Sequence, residues 1–392
     1  MTPAARVQAA IEILDAVIAA ARGNGASADR IIAEWFRTRR FAGSGDRRAV
    51  RDLAYGAIRA CGEVPVSGRS AMVRMAATDP ALAALFDGSR HGPAPLASDE
   101  PAASGGIAPA WLEAQLADSG IAGDAAAALL NRAPLDLRVN ALKSARDTIA
   151  LPQPGEALTA PHGLRFAHGT PVEQWDAFKD GRIEVQDAGS QLACEAVAAQ
   201  PGETVIDLCA GAGGKTLALA AAMGGTGRLI ACDTDRSRLS RLTPRAERAG
   251  ASLIETRLLD PGHEAAALAD VAGTADAVLV DAPCSGTGTW RRNPEARWRL
   301  DAAGLERLTA VQARLIDIAA SLVRTGGRVI FVTCSLLDAE GADQAAAFLA
   351  RHRGWQAGEL DLKAGHQRGA GIRLDPLHDA TDGFFIARLE TS

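Results

Sequence analysis

Long uncharged apolar runs are missing from this 392-residue chain, although 47% of its residues are hydrophobic. No stretch approaches the roughly 18 apolar residues that a membrane-spanning helix needs, so no membrane segment is predicted. The first helix-like segment carries Glu12 and Asp15 inside its apolar pattern, which a secretory signal peptide would not tolerate. We therefore expect a cytoplasmic protein.

Paired cysteines and closely spaced histidine ligands are also missing. None of the six cysteines forms a CxxC pair or has a histidine at ligand spacing, which argues against both a zinc site and a disulfide framework. We expect reduced thiols and no metal. The cysteines are Cys61, Cys194, Cys209, Cys232, Cys284 and Cys334.

A basic overall charge is absent as well, because the formal net charge is -5. Any RNA-binding surface must therefore be local. Residues 1–60 hold ten arginines against six acidic residues, and residues 290–299 hold four against one. Aromatic residues make up only 4% of the chain, so Trp290 and Trp298 are the preferred candidates for stacking on unpaired bases. A solvated, partly packed loop is an equally good interpretation of that segment.

The pattern of apolar residues changes along the chain. Helical spacing dominates the N-terminal part, and residues 87–109 are rich in Pro, Gly, Ser and Ala, which predicts a flexible loop with some disorder. After residue 200, β-rich runs at 204–208, 228–232, 252–256, 277–280 and 328–333 alternate with helical segments. This alternation predicts a parallel sheet with ligands at the carboxyl ends of its strands.

The first predicted strand leads into a glycine-rich loop, DLCAGAGGKT at residues 207–216. A phosphate-binding P-loop is disfavoured because Cys209 stands where it requires glycine, and the dinucleotide pattern fails at Thr216. A glycine loop without a diphosphate suits the amino-acid end of S-adenosylmethionine, with an ordinary tight turn as the alternative. Asp233 could bind ribose hydroxyls and Asp260 the adenine amino group, so the three features together favour a methyltransferase.

Two thiols follow the last two predicted strands, in DAPCSGTG from residue 281 and in TCS from residue 333. Cytosine carbon 5 is too weak a nucleophile to take a methyl group directly, whereas addition of a thiolate at carbon 6 activates it. A second thiol or a water could then remove the carbon 5 proton. Asp281 could hold the ring at N3 and the exocyclic amine, and a protonated Asp281, favoured by burial, would stabilise developing charge. We expect Cys194, Cys209 and Cys232 to pack as small hydrophobes.

Several motifs in order resemble the RsmB/Nop/Sun family of RNA cytosine-5 methyltransferases, and within it the bacterial ribosomal-RNA enzymes. They are DLCAGAGGKT, DAPCSGTGTWRRNPEARW, VTCSL, PLDLRVN with Lys143, QDAGSQ and DGFF, and they span most of the chain. Two departures are the loop CAGAGGK, which lacks the family's common proline, and Glu340-Gly341-Ala342, which replaces a usual Glu-Asn-Glu.

The resemblance implies an α/β fold, with a Rossmann-like class I methyltransferase domain at residues 186–392. It implies a helical NusB-like RNA-binding domain at residues 1–130, where Arg47 and Arg48 fit an RNA surface, and a small α/β RNA-binding connector at residues 131–185. By resemblance Cys334 attacks cytosine and Cys284 assists product release. The residues implied around S-adenosylmethionine are Cys209, Ala210, Gly211, Ala212, Gly213, Gly214, Lys215, Asp233, Asp260 and Asp281.

We therefore expect a monomeric methyltransferase that uses S-adenosylmethionine to modify a cytosine flipped out of small-subunit ribosomal RNA. Transfer RNA is the alternative substrate. A noncatalytic RNA-binding assembly factor is disfavoured, because such a scaffold would have no chemical need for both thiols and Asp281. Had Pro283-Cys284 stood alone, the resemblance would have been to DNA cytosine methyltransferases, in which that cysteine is the nucleophile.

Overall fold

The computed structural model describes residues 1–23 and 25–391 and divides into two compact units. One unit comprises Met1–Asn131 and Thr289–Asp301. The other comprises Arg132–Gly288 and the chain from Ala302 onward. Among the described residues, no helix has both the length and the apolar character required to cross a membrane.

The first unit is helical. Thr2 caps the first helix by accepting a hydrogen bond from the Ala5 N–H at 3.2 Å, and Pro3 occupies the first turn, where a missing N–H has no cost. The apolar stripe that predicted this helix, including Val7 and Leu14, is fully buried in the core of the unit. The helices are α1 Pro3–Arg22, α2 Ala28–Arg37, α3 Ser44–Ala60, α4 Gly68–Ala76, α5 Pro80–Ala83, α6 Ala110–Asp118 and α7 Gly123–Ala128.

The predicted loop at residues 87–109 lies in irregular backbone between α5 and α6. Its second half is tied to the helices by hydrogen bonds. The Arg69 guanidinium donates to the Glu100 carboxylate at 2.8 Å, the Ala103 N–H donates to the Ser70 carbonyl at 3.0 Å, and the Gly62 N–H donates to the loop at 3.1 Å. These contacts satisfy backbone polar groups that would otherwise remain unpaired.

The segment Thr289–Asp301 packs with the helices of the first unit, and this overturns one expectation. Trp290 and Trp298 are 0% and 5% exposed, and the Trp298 indole donates to the Gly62 carbonyl at 3.2 Å. Arg297 is also buried and donates to the Ile58 carbonyl at 2.6 Å. The prediction that the two tryptophans stack on RNA bases is therefore wrong, because neither ring presents a free face.

A small antiparallel sheet opens the second unit, in the strand order β2-β3-β1-β4. Its apolar face buries Leu137, Val139, Leu164 and Phe166 in a core of their own. The elements are β1 Leu135–Val139, β2 Glu156–Ala157, β3 Gly163–Phe166, the 3-10 turn Val172–Gln174, α8 Asp176–Lys179 and β4 Ile183–Val185.

A nine-stranded mixed sheet forms the rest of this unit, in the order β11-β12-β13-β9-β8-β5-β6-β7, with β10 paired to β13. Its strands are β5 Thr204–Asp207, β6 Arg228–Asp233, β7 Ile254–Leu258, β8 Ala275–Asp281, β9 Val323–Thr333, β10 Trp355–Ala357, β11 His366–Arg368, β12 Gly371–Leu374 and β13 Phe384–Thr391. The helices are α9 Ala188–Glu195, α10 Gly214–Ala222, α11 Arg236–Leu239, α12 Leu242–Ala249, α13 Glu264–Ala267, α14 Ala302–Leu322 and α15 Ala342–Arg351. The 3-10 turns are Ala269–Val271, Thr287–Thr289 and Asp338–Glu340. A further 3-10 turn, Pro294–Trp298, belongs to the first unit.

The strands β7, β6, β5, β8 and β9 are adjacent in this order and parallel, which confirms the predicted Rossmann-like arrangement. The pairing places Asp207 opposite Leu279, and Asp281 opposite Val332. Because the carboxyl ends of parallel strands meet at one edge, the residues that follow β5, β6, β8 and β9 are brought together there.

Candidate active site

The loop after β5 needs glycine at two positions for its shape. Gly211 and Gly213 have φ angles of +55° and +86°, in the left-handed region that side chains disfavour. A Cβ at Gly213 would also lie only 2.1 Å from Leu242 Cδ1. Gly214 begins α10, and a Cβ added to it would have no neighbouring atom of the described residues within 4 Å, so the space beside it is open. The loop therefore places backbone N–H groups at the start of α10 next to open space.

The carboxylate of Asp233 is held by this loop. One of its oxygens accepts from the Gly211 N–H and the other from the Asp235 N–H, both at 2.7 Å. Each oxygen keeps a lone pair for a further donor. Asp260, by contrast, is exposed in the loop that follows β7.

Asp207, at the end of β5, is buried and was not among the predicted site residues. The Thr216 hydroxyl donates to one of its oxygens at 2.7 Å, while the other has no partner among the described residues. Burial raises the pKa of this carboxyl to about 7. A strand-end aspartate before a glycine loop was visible in the sequence, but its full burial was not.

The structure brings the two predicted thiols together. The Sγ atoms of Cys284 and Cys334 lie 3.4 Å apart, although 50 residues separate them in the chain, and both residues remain partly exposed. The hydrogen bond with Cys334 and burial raise the pKa of the Cys284 thiol well above its usual range. Cys284 therefore stays a protonated thiol at neutral pH.

Two of the other predicted cysteines pack in the protein interior. Cys194 and Cys232 are 6% and 0% exposed, and burial raises the pKa of each to about 12. The expectation that they behave as small hydrophobes is confirmed for these two. Cys209 packs against the core but remains partly exposed, so its packing role stays a prediction.

Lys215 forms an ion pair with Asp281, at 2.6 Å between Nζ and Oδ2. Burial alone would lower the lysine pKa, but the charge of Asp281 and the hydrogen bond that Asp281 accepts outweigh burial and raise the pKa. Lys215 is therefore an ammonium whose field reaches Cys334. The hydrogen-bond donor observed at this point is Lys215, and the role predicted for Asp281 toward the base stays a prediction.

Residues from the end of the chain complete the surroundings of Lys215. Its Nζ lies 5.4 Å from the centroid of the Phe384 ring, a cation–π distance. The Gly383 N–H donates to the Gly288 carbonyl at 2.8 Å, and a Cβ on Gly288 would lie 2.2 Å from the Gly383 oxygen. The DGFF and GTG motifs therefore need glycine at positions 383 and 288, because their backbones touch there.

Glu340 connects the two cysteine loops and was missed as a site residue by the sequence analysis. It is completely buried, and its carboxylate accepts hydrogen bonds from the Ser285 N–H at 2.9 Å, the Ser285 hydroxyl and the Gln312 amide at 3.0 Å. Gln312 also donates to the Pro283 carbonyl at 2.9 Å. A signal was present in the sequence, because Glu340 is the first residue of the Glu-Gly-Ala stretch that stands where the family usually has Glu-Asn-Glu.

A family model described as 16S rRNA methyltransferase RsmB/F matches residues 194–390, about half of the chain. The chain belongs to this RsmB/F family. The match contains the glycine loop, Asp233, Asp260, Asp281 and both cysteines of the 3.4 Å thiol pair. Glu340 and Phe384 also fall inside it.

Curated relatives carry matching names. The chain is 37% identical over 300 residues to ribosomal RNA small subunit methyltransferase B of Xanthomonas campestris, with 72% of this chain and 66% of the relative covered. It is 35% identical to the probable enzyme of that name from Synechocystis, with 67% and 61% covered. The RsmB/F chain thus spans about three fifths to two thirds of the length of these relatives. For the Sodalis glossinidius protein the identity is 31%, and 76% and 69% are covered.

Solved structures support the fold. The crystal structure of PH0851 superposes with a TM-score of 0.76 at 23% identity, covering 98% of this chain and 99% of that one. A methyltransferase homologue from Pyrococcus horikoshii gives 0.59 at 24% identity, covering 72% and 99%. At these identities the similarity establishes the fold of the RsmB/F chain and does not identify its substrate.

Proposed function

We propose that this chain is an S-adenosylmethionine-dependent RNA methyltransferase that modifies carbon 5 of a cytosine in small-subunit ribosomal RNA. The observation that carries the proposal is the pair of thiols at 3.4 Å, with a Lys215–Asp281 ion pair at the neighbouring strand end. Methylation of an oxygen or an exocyclic nitrogen would need no cysteine nucleophile, whereas carbon 5 of a pyrimidine does.

The residues present fit the methyl donor. The open space beside Gly214 and the left-handed backbone at Gly211 and Gly213 suit a ligand that approaches the main chain closely. Asp233, with one lone pair free on each oxygen, suits two ribose hydroxyls. When bound, S-adenosylmethionine supplies a methyl group made electrophilic by a positively charged sulfur.

Cys334 acts as the nucleophile in this proposal. Its thiolate forms an S–C bond to carbon 6 of cytosine, and the carbon 5–carbon 6 π electrons move toward carbon 5 and the ring. Carbon 5 thereby becomes nucleophilic enough to take the methyl group. Cys284 stays a neutral thiol during the attack, since its pKa is raised.

Lys215 and Asp281 position the base and balance its charge. The Asp281 carboxylate accepts from the exocyclic amine, which a uracil lacks, and the Lys215 ammonium stabilises the negative charge that spreads to N3 and O2 after thiolate addition. Phe384 holds the lysine from one side. This pair therefore provides both recognition of cytosine and electrostatic stabilisation.

Release of the product requires loss of the carbon 5 proton. A water acting as base removes that proton, the carbon 5–carbon 6 double bond re-forms, and Cys334 departs as a thiolate. The neutral Cys284 thiol donates a hydrogen bond to the departing sulfur, 3.4 Å away. The overall reaction transfers one methyl group and releases one proton.

The decisive experiment incubates the purified chain with unmodified small-subunit ribosomal RNA and methyl-labelled S-adenosylmethionine, followed by digestion to nucleosides. We expect the label in 5-methylcytidine. Label that appears only with transfer RNA would preserve the chemistry and replace the substrate. If neither RNA nor partly assembled small subunits became labelled while the donor bound, the proposal would be rejected in favour of a noncatalytic RNA-binding factor.

A further inference from the structure

The helical unit contains a groove of about 1060 Å³, within the size range of ligand sites. It is formed by one side of α1, the end of α2 and the irregular segment after α5. The residues that give the groove its chemistry are Glu12, Trp35, Arg39, Phe41, Arg90 and His91. None of them belongs to the active site described above.

Phe41 is the most unusual residue of this groove, because its side chain is 72% exposed. It lies just after α2 and is the most exposed of the large aromatic residues recorded on the described surface. Trp35 lies in the same groove and is partly buried. The Arg39 guanidinium carbon sits 4.1 Å from the Trp35 ring centroid, so one face of the indole is already covered.

The single acid of the groove is neutralised from within. Glu12 accepts hydrogen bonds from the Trp35 indole N–H and from the Arg39 guanidinium, both at 3.2 Å. Arg90 and His91 also line the groove and are exposed. The groove therefore combines one free aromatic face with cationic or neutral hydrogen-bond donors.

The chain around Phe41 is strongly basic in a protein whose net charge is negative. Residues 37–48 contain five arginines and one acid, Asp46, which gives a local charge of +4. Asp46 itself is bound by Arg6 at 2.9 Å. Local positive charge around an exposed aromatic ring is what a single-stranded nucleic acid requires, because phosphates bind the cations and a base stacks on the ring.

We propose that this groove binds an unpaired stretch of the RNA substrate, with a base stacked on Phe41 and phosphates bound by Arg90 and neighbouring arginines. The inference rests on the proposed function only in taking RNA as the substrate. It assigns to Phe41 the stacking role that the sequence analysis gave to Trp290 and Trp298.

The test measures the affinity of the full chain for a short, unstructured, fluorescein-labelled RNA by fluorescence anisotropy. We expect Phe41→Ala to raise Kd about tenfold, the change that ~1.4 kcal/mol of lost stacking produces. Arg90→Ala should weaken binding and reduce the slope of log Kd against log salt by about 0.7, the value for one phosphate contact on a single strand. Phe41→Tyr, which keeps the ring, should bind like the wild type.

Two exposed residues away from the groove provide controls. Val66→Ala removes another exposed apolar side chain, 85% exposed, and Arg353→Ala removes an exposed arginine of the other unit. Both should keep the wild-type Kd. Thermal melting of each variant verifies folding, since Phe41 makes little contact with the core.

The binding assay needs no turnover, so it separates this proposal from the proposed methyltransferase activity. Active enzyme with an unchanged Kd for Phe41→Ala would overturn the groove proposal and leave the activity standing. Inactive protein with a Phe41-dependent Kd would support the groove proposal and overturn the proposed methyltransferase activity. A Phe41-dependent dimer in sedimentation, with no change in RNA affinity, would show that the groove binds a second copy of the chain and would also overturn the proposal.

Discussion

The carboxylate of Glu340 accepts a hydrogen bond from the backbone N–H of Ser285 at 2.9 Å, and so fixes the loop of Cys284 to the segment that follows Cys334. Glu340→Gln replaces one acceptor oxygen with an amide that points hydrogen atoms at existing donors. We expect a loss of about 1.5–3 kcal/mol in the free energy of unfolding, the range for a hydrogen bond to a charged group. A displacement of about 1 Å between the sulfurs can lower kcat by about a hundredfold.

The measurement is kcat and KM for RNA together with thermal melting. A purely structural role would lower stability and leave kcat at permissive temperature intact, whereas a positioning role lowers kcat with KM for RNA nearly unchanged. Asp343→Asn is the matched control, since that acid lies three residues away and is exposed.

The roles of the two thiols make opposite predictions for covalent trapping. Cys284→Ala should accumulate an RNA–protein adduct that survives denaturing electrophoresis, because Cys334 can attack but release is impaired. Cys334→Ala should form none. Cys61→Ala, which removes a buried thiol of the helical unit, should behave as the wild type. The reverse pattern would identify Cys284 as the nucleophile, as in the DNA-type arrangement.

Lys215 should set the reactivity of Cys334. In Lys215→Met the ammonium that interacts electrostatically with this sulfur is lost, so alkylation of Cys334 should become slower. Iodoacetamide treatment across pH, followed by mass spectrometry of the Cys334 peptide, gives the alkylation rates. Lys363→Met removes an exposed lysine and should leave the profile unchanged. Equal profiles for Lys215→Met and wild type would remove Lys215 from the mechanism.

Asp207 predicts a specific dependence of stability on pH. Its folded pKa of about 7 lies above the ordinary 3.8, so the folded state retains a proton that the unfolded chain loses. Stability therefore falls as pH rises from about 4 to about 7 and is level above that. Asp207→Asn keeps an acceptor for Thr216 and does not titrate. The free energy of unfolding of this variant, relative to that of the wild type, should therefore rise over this interval by about 4 kcal/mol, which corresponds to a pKa raised from 3.8 to about 7. Parallel stability curves, measured by urea unfolding at several pH values, would contradict the assignment.

Trp298 should contribute to stability rather than to RNA affinity. Trp298→Phe loses the hydrogen bond to the Gly62 carbonyl and leaves a gap in the helical core, which should cost about 1–3 kcal/mol in the free energy of unfolding. Anisotropy with single-stranded RNA below the melting temperature should give the wild-type Kd. A weakened Kd in a fully folded variant would restore Trp298 as an RNA contact.

Much of this organisation was accessible from local sequence. The five parallel strands and the strand-end positions of Asp233, Asp281 and Cys334 follow from short apolar runs and the residues that end them, which depend on nearest neighbours in the chain. Periodicity was less informative about strand bounds. Residues 252–256 were predicted, whereas the strand is Ile254–Leu258, because the pairing of Ile254 with Leu229 sets its register.

The sequence alone determined that two cysteines, a glycine loop and the aspartates Asp233, Asp260 and Asp281 lie at or just after the ends of strands in one sheet, because strand ends and thiol chemistry are local properties. Only the tertiary structure decided that the sulfurs lie 3.4 Å apart, that Lys215 pairs with Asp281, and that the tryptophans of residues 290–299 are buried. These facts depend on contacts between residues tens to hundreds of positions apart. Spacing along a chain carries no distance across a core, so burial and pairing become fixed only when the whole fold closes.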